Sequence, residues 1–265
     1  MDLDTVTDYV PAPGTAWREG DAWLAGGTWL FSEPQPTTTR LLDLNSFGWP
    51  DLTIDEDGVE IAATCTLATL SRLRLPSHWP AGALIGQCCE ALLGSFKIWN
   101  TASVGGNICL SLPAGPMTSL TTSLDATATI WSADGAIREL PVLDFVIGAG
   151  RNVLGPGDLL RSVHLPASSL RCRTAFRQLS LSTLGRSAAV VIGRLHADGG
   201  LVVTVSASTA RPYQLRFAEV PDPARALAAL EATVPEYFDD VHGQPAWRHQ
   251  ITSVLLSEIC AELTA

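Results

Sequence analysis

The sequence predicts an α+β fold on three observations: short strands and helices alternate irregularly over the first two thirds, a long antiparallel hairpin follows, and a helical pattern closes the chain. With 265 residues, 46% hydrophobic and only 17% charged, the chain can bury a sizeable core and lacks the composition of a disordered one.

Each element has its own signal. Residues 41–44 read as a strand, and residues 59–63 as another behind the Asp57-Gly58 turn. Thr66 stands where a helix N-cap belongs, with Leu67, Leu70 and Leu73 at helical spacing after it, so a helix is expected to run to the break at Pro76. Within residues 83–94, Leu84, Ile85, Cys88, Cys89 and Leu92 share one helical stripe. Met117, Leu120 and Leu124 repeat that spacing, and residues 126–131 read as a strand ending at the Asp134-Gly135 hairpin signal. Residues 190–195 and 201–206 pair across Asp198-Gly199-Gly200. Asp222-Pro223 opens a helix carrying Leu227, Leu230 and Val234, and Trp247, Ile251, Val254, Leu255, Ile259 and Leu263 align on the last one. The expected division is an N-terminal lobe at 1–80, a second lobe at 81–170 and a C-terminal α+β domain at 171–265.

Composition narrows the function. With 27 acidic against 17 basic residues the net charge is −10, which argues against nucleic acid as a partner, since that needs clustered cations. Residues 1–8 are acidic where a secretory leader would be basic, and no apolar run has the length of an integral membrane segment; a cytoplasmic location is expected. The six cysteines contain no C-x-x-C pair and read as buried reduced thiols. The five histidines never fall at metal-ligand spacing, and neither a G-x-S-x-G elbow nor a Walker lysine occurs, so no metal or catalytic residue is assigned.

What remains is a pair of glycine-centred segments: Ala25-Gly26-Gly27-Thr28-Trp29-Leu30 and Thr101-Ala102-Ser103-Val104-Gly105-Gly106-Asn107. Glycine pairs remove Cβ atoms and open positive-φ conformations. Successive N–H groups can then line one concavity, with the hydroxyls of Thr28, Thr101 and Ser103 as added donors. Such a nest holds a diphosphate without lysine. Taken singly, either segment is more often a simple turn.

The order of motifs resembles the FAD-binding medium subunit of the molybdenum hydroxylases, the xanthine dehydrogenase and carbon monoxide dehydrogenase family. The resemblance covers most of the chain. It rests on the first glycine segment, on Asn100 through Asn107 followed by Cys109 and Ser111-Leu112-Pro113-Ala114, on Leu124-Asp125-Ala126 with Asp144-Phe145, on Pro156-Gly157-Asp158-Leu159-Leu160, and on residues 176–191. It implies a two-lobed FAD-binding unit of the vanillyl-alcohol-oxidase type, followed by an antiparallel sheet with helices. It also implies that the backbones of Ala25, Gly26, Gly27, Thr28 and Trp29, and of Ser103, Val104, Gly105, Gly106 and Asn107, hold the diphosphate beside Thr101, and that Leu160 packs on the cofactor.

By the same resemblance the chain is one subunit of a molybdopterin-dependent oxidoreductase. Electrons come from [2Fe-2S] clusters on a small partner subunit, pass through FAD and reach an external acceptor. Molybdopterin sits on a large partner subunit, and the assembly is a heterotrimer or a dimer of heterotrimers. The chain departs from the family pattern at Trp29, at Trp99 (usually Arg) and at Pro116 (usually an Asp that binds cofactor hydroxyls). Two other readings are a stand-alone FAD-dependent oxidoreductase, which would need a catalytic base or a covalent flavin link, and a flavin-free scaffold or assembly protein.

Overall fold

Short, half-exposed segments at the N-terminus gain their strand conformation by pairing with one strand whose two central leucines are buried. In the computed structural model, which describes residues 3–264, β1 (Asp8–Pro11) and β2 (Asp21–Leu24) both run parallel to β3 (Arg40–Asp43), which lies between them. Met1, Asp2 and Ala265 lie outside the described residues, including the first two of the acidic stretch considered above. Leu41 and Leu42 are buried, and Arg40 grips the buried Asp21 through bonds of 2.7 and 2.6 Å. That hydrogen bond holds the Asp21 carboxyl below its ordinary pKa against the opposing effect of burial.

Next comes a larger sheet. β4 (Leu52–Ile54), β5 (Gly58–Ala62), β6 (Thr127–Trp131) and β7 (Ile137–Pro141) are followed by a small hairpin, β8 (Val146–Gly148) and β9 (Arg151–Asn152), and then by β10 (Leu159–Pro166). The order is β4-β5-β10-β6-β7, antiparallel throughout, so strands from either side of Pro80 share one sheet. Strand β10 reads in sequence only as the tail of a loop motif, yet it is the centre of this sheet. Gly135 takes φ 87° in the turn expected at Asp134-Gly135.

On one face of this sheet lie α1 (Leu67–Ser71), α2 (Gly82–Glu90), α3 (Phe96–Thr101), α4 (Val104–Leu110) and α5 (Pro116–Ser123). One-turn helices α6 (Val142–Phe145) and α7 (Ala167–Leu170) flank β8 and close β10. The Thr66 cap forms as expected, its hydroxyl accepting from Thr69 N at 3.1 Å. Helix α1 is shorter than expected. Arg72 N and Leu73 N bond to the carbonyls three residues back, at 3.2 and 3.0 Å, and Pro76 disfavours a helical Leu75.

The C-terminal strands β11 (Arg173–Ser180), β12 (Ser187–Leu195), β13 (Leu201–Ser206) and β14 (Tyr213–Phe217) form an antiparallel meander, backed by α8 (Pro223–Thr233) and α9 (Pro245–Thr264). Asp222 caps α8 by accepting from Arg225 N at 2.9 Å. Alternation sorts the strands cleanly. Val191, Leu201, Val203 and Val205 pack toward the helices, while Val190 and Ile192 join the core of the larger sheet. Gly193 faces α9, where a Cβ would collide with Ile259 and Leu263. The α+β fold with its antiparallel C-terminal sheet is therefore as expected.

Candidate functional site

The first glycine segment leaves β2 and is steered at once by its neighbours. Asn45 Nδ2 donates to Ala25 O at 3.2 Å, and Gly27 sits at φ 69°, its open side filled by the Phe31 ring, which a Cβ there would strike. Phe31 N and Ser32 N close one turn on Gly27 O and Trp29 O, each at 2.9 Å. No hydrogen bond among the described residues takes the N–H of Gly26, Gly27, Thr28, Trp29 or Leu30. Five consecutive main-chain donors are thus open on a partly exposed loop.

The second segment is built differently. Thr101 ends α3, its hydroxyl turned back onto Lys97 O at 2.8 Å, and Ser103 caps α4 by accepting from Gly106 N at 3.1 Å. Val104 N donates to Cys65 O at 2.8 Å, Gly105 N to Ala63 O at 2.9 Å, and Asn107 N to Ser103 O at 3.0 Å. The N–H groups of Val104, Gly105, Gly106 and Asn107 are therefore committed within the protein. Only the N–H and the hydroxyl proton of Ser103 have no acceptor among the described residues, since the Thr101 hydroxyl is spent on Lys97 O. The Asn107 carboxamide accepts from Met117 N at 2.9 Å and caps α5, whose first residue is the buried Pro116. Proline at that position gives up an N–H that would have had no helical partner.

The two segments meet. A Cβ on Gly26 would fall inside bonding range of the Thr101 carbonyl oxygen, so only glycine lets the loops approach. Gly105 makes a second close approach, where a Cβ would stand 2.7 Å from Ala63 Cα. Two clefts lie at the ends of the second segment, and neither is lined by the first. One, of about 280 Å³, is lined by Ala68, Arg72, Phe96, Trp99 and Asn100. The other, of about 450 Å³, is lined by Leu92, Asn107, Gly115, Pro116, Arg186 and His242. Asn100 and Asn107 sit in different clefts, so residues 101–106 bridge them.

Leu160 lies apart from the open amides. It is 3% exposed on β10 opposite Ile130, inside the main core. Its neighbour Leu159 packs with Leu42, Leu44 and Ala25 beneath the first loop, a contact that sequence reasoning missed. Gly157, at φ 81°, lies where a Cβ would press on the Trp17 ring. Asp158 accepts from Gly155 N and Ala133 N at 3.0 Å each and pairs with Arg138 at 2.7 Å. Burial disfavours its charge, but those backbone donors and Arg138 outweigh burial and hold its pKa low. Trp29 and Trp99 do not stack with any other aromatic ring among the described residues.

Among the described residues no three His, Cys, Asp or Glu side chains cluster as metal ligands, and no helix is long and apolar enough to cross a membrane. Burial pushes the Cys65, Cys89 and Cys109 thiols up to about 12, which keeps them protonated and inert.

The family model for the FAD binding domain in molybdopterin dehydrogenase matches residues 15–168, more than half of the chain. Xanthine dehydrogenase of Oryza sativa subsp. japonica is 34% identical over 121 residues, 43% of this chain and 9% of that protein. The nicotinate dehydrogenase FAD-subunit of Eubacterium barkeri is 28% identical over 165 residues, 57% of this chain and 54% of that one. The chain thus matches about half of the nicotinate dehydrogenase subunit and under a tenth of xanthine dehydrogenase. Among solved structures, quinoline 2-oxidoreductase from Pseudomonas putida 86 superposes with a TM-score of 0.80 at 18% identity, covering 99% of this chain and 98% of that one. Carbon monoxide dehydrogenase from Oligotropha carboxidovorans superposes with a TM-score of 0.78 at 21% identity, covering 92% and 89%. At those identities the superpositions show a shared fold, extending through the C-terminal sheet.

Proposed function

This chain belongs to the family of FAD-binding domains in molybdopterin dehydrogenases, and from that premise we propose that it is the electron-transfer subunit of a heteromeric molybdenum hydroxylase. The observation that carries the reading is the contact of Gly26 with Thr101, which sets five open amides beside the Ser103 cap. When bound, FAD would accept electrons from a [2Fe-2S] partner and release them to an external acceptor. Everything this chain contributes is binding and placement.

In this reading the N–H groups of Gly26, Gly27, Thr28 and Trp29 donate to the diphosphate, and Ala25, held by Asn45, sets the angle of the loop. Ser103 adds its hydroxyl and main-chain donors from the facing side, and Thr101, its hydroxyl already bonded to Lys97 O, brings its carbonyl against Gly26 and sets the approach of the loops. Val104, Gly105, Gly106 and Asn107 serve by shape, because their amides are already used. The bare Cα of Gly105 lets α4 press on Ala63, and that of Gly106 leaves room for the Ser103 hydroxyl that caps the helix. Leu160 supports the floor through the core, with Leu159 nearer the first loop. Pro116 supplies no carboxylate; the missing contact would cost about 0.5–1.5 kcal/mol of cofactor affinity, leaving binding intact.

The division into lobes at 1–80 and 81–170 and a C-terminal domain at 171–265 goes with this reading, the two lobes sharing the sheet β4-β5-β10-β6-β7. So do a large molybdopterin subunit, a small [2Fe-2S] subunit, a dimer of heterotrimers and a cytoplasmic location. Affinity purification of the tagged chain from its native host tests it. The expected result is a yellow preparation carrying a large and a small partner, with stoichiometric FAD. Yellow protein that turns over substrate alone supports a stand-alone oxidoreductase instead. Colourless protein that ignores added FAD supports a scaffold.

A further inference from the structure

Helix α5 is buried along its whole length, yet five of its eight residues carry hydroxyls: Thr118, Ser119, Thr121, Thr122 and Ser123. Thr121 and Ser123 turn theirs back onto Met117 O and Leu120 O, at 2.7 and 2.8 Å, in the usual way for such side chains inside a helix. Thr118 and Thr122, one turn apart and at most 4% exposed, have no partner for theirs.

What faces them is also polar. Helix α5 packs on β12 and β13 of the C-terminal sheet. Two contacts fix the register: Ser119 Oγ lies 2.7 Å from Ser206 Oγ, and Gln214 Nε2 donates to Thr122 O at 2.8 Å. Thr204 lies between those two points, two residues before Ser206 and directly across the ladder from Gln214, so its side chain stands on the same face. Thr204 is 1% exposed, and its hydroxyl has no partner either. Hydroxyls without a protein partner therefore lie on both sides of one seam. A buried hydroxyl left without a partner is costly, and unpartnered hydroxyls on the two sides of one seam are the polar partners that an internal water requires.

We propose that the seam between α5 and the C-terminal sheet is a water site, in which at least one ordered water is shared by Thr122 and Thr204, with Thr118 as the next partner along the helix. The row is closed to solvent even where it comes nearest the larger cleft: Thr118 Oγ1 lies 3.4 Å from where a Cβ on Gly115, a residue of that cleft, would stand. Water then joins the cofactor lobes to the C-terminal sheet, alongside the ion pairs that Asp125 makes with Arg194 and Arg216.

Threonine-to-valine exchange reads the shared water directly. Thr122→Val, Thr204→Val and the double variant of the full chain should be compared by thermal melting. Each single change is expected to lower Tm by about 2–4 °C, and the double change by little more than one of them, because the second loses a partner already gone. Single changes that raise Tm or leave it alone, or losses that add, would overturn the proposal. A crystal structure of the unaltered protein gives an answer even if the variants fail to fold. Density within hydrogen-bonding distance of both hydroxyls is expected; a seam closed by direct Thr122–Thr204 pairing contradicts it.

Discussion

The two glycine segments look alike in sequence and do opposite things in the fold. In the first, the amides from Gly26 to Leu30 are open and the glycines are shaped by what presses on them. In the second, every amide from Val104 to Asn107 is already spent on Cys65, Ala63 or Ser103. One loop is a donor surface; the other is a scaffold that carries a carbonyl and a capped helix up to it. A glycine pair announces close backbone approach, and only the partner at the end of that approach tells whether donors are left over.

The largest expected effect separates the two roles at their point of contact. Gly26→Ala drives a Cβ into the Thr101 carbonyl and must part the loops. FAD affinity is expected to fall at least about 100-fold, or about 2.7 kcal/mol, read by flavin fluorescence titration. Unchanged affinity would mean that the contact does not shape the site. Gly105→Ala should act through the fold instead. With Ala63 Cα 2.7 Å from the added Cβ, α4 must shift, and a loss of about 2–3 kcal/mol in denaturant unfolding is expected without any cofactor present. If only cofactor binding suffers, the second loop is more than a scaffold.

How much of this was legible follows from what each signal reports. The Thr66 and Asp222 caps, the Asp134-Gly135 turn and the long C-terminal hairpin are local chemistry, and each appears where the residues place it. Strands β1 and β2 were not legible, because four residues flanked by prolines and glycines become strands only by pairing with β3. The central place of β10 was hidden for the same reason: its partners lie about 100 residues upstream in β5 and about 30 in β6. At the site, both glycine segments could be seen, but the spent amides of the second could not, since their acceptors Ala63 and Cys65 come from another element. The one missed clue is Ser103 itself. A serine three residues before Gly106, ahead of Val104 and Ile108, is an N-cap signal and could have been read as a helix start.

Smaller effects sharpen the contrast. Ser103→Ala removes the cap from Gly106 N and should cost about 1 kcal/mol in unfolding, with a further modest loss in FAD affinity. A variant with wild-type stability would show that the cap is idle. The mildest test is acid titration. Burial opposes ionisation of Asp125, but hydrogen bonds from Arg194 and Gln214 and the charges of Arg194 and Arg216 outweigh it, so its folded pKa lies below the ordinary 3.8. Stability from this carboxylate is then present above about pH 4 and lost as pH falls through the lowered folded value. Melting followed from pH 6 downward should show a flatter acid limb in Asp125→Asn than in the unaltered protein; parallel limbs would remove Asp125 from the joint between lobes and C-terminal sheet.

Backbone amide exchange with and without FAD tests the division of labour most directly. Cofactor should newly protect the N–H groups of residues 26–30, while those of Gly105, Gly106 and Asn107, hydrogen-bonded beforehand, should exchange slowly in both states. Protection gained at residues 104–107 with none at 26–30, or no change in either loop, would contradict it.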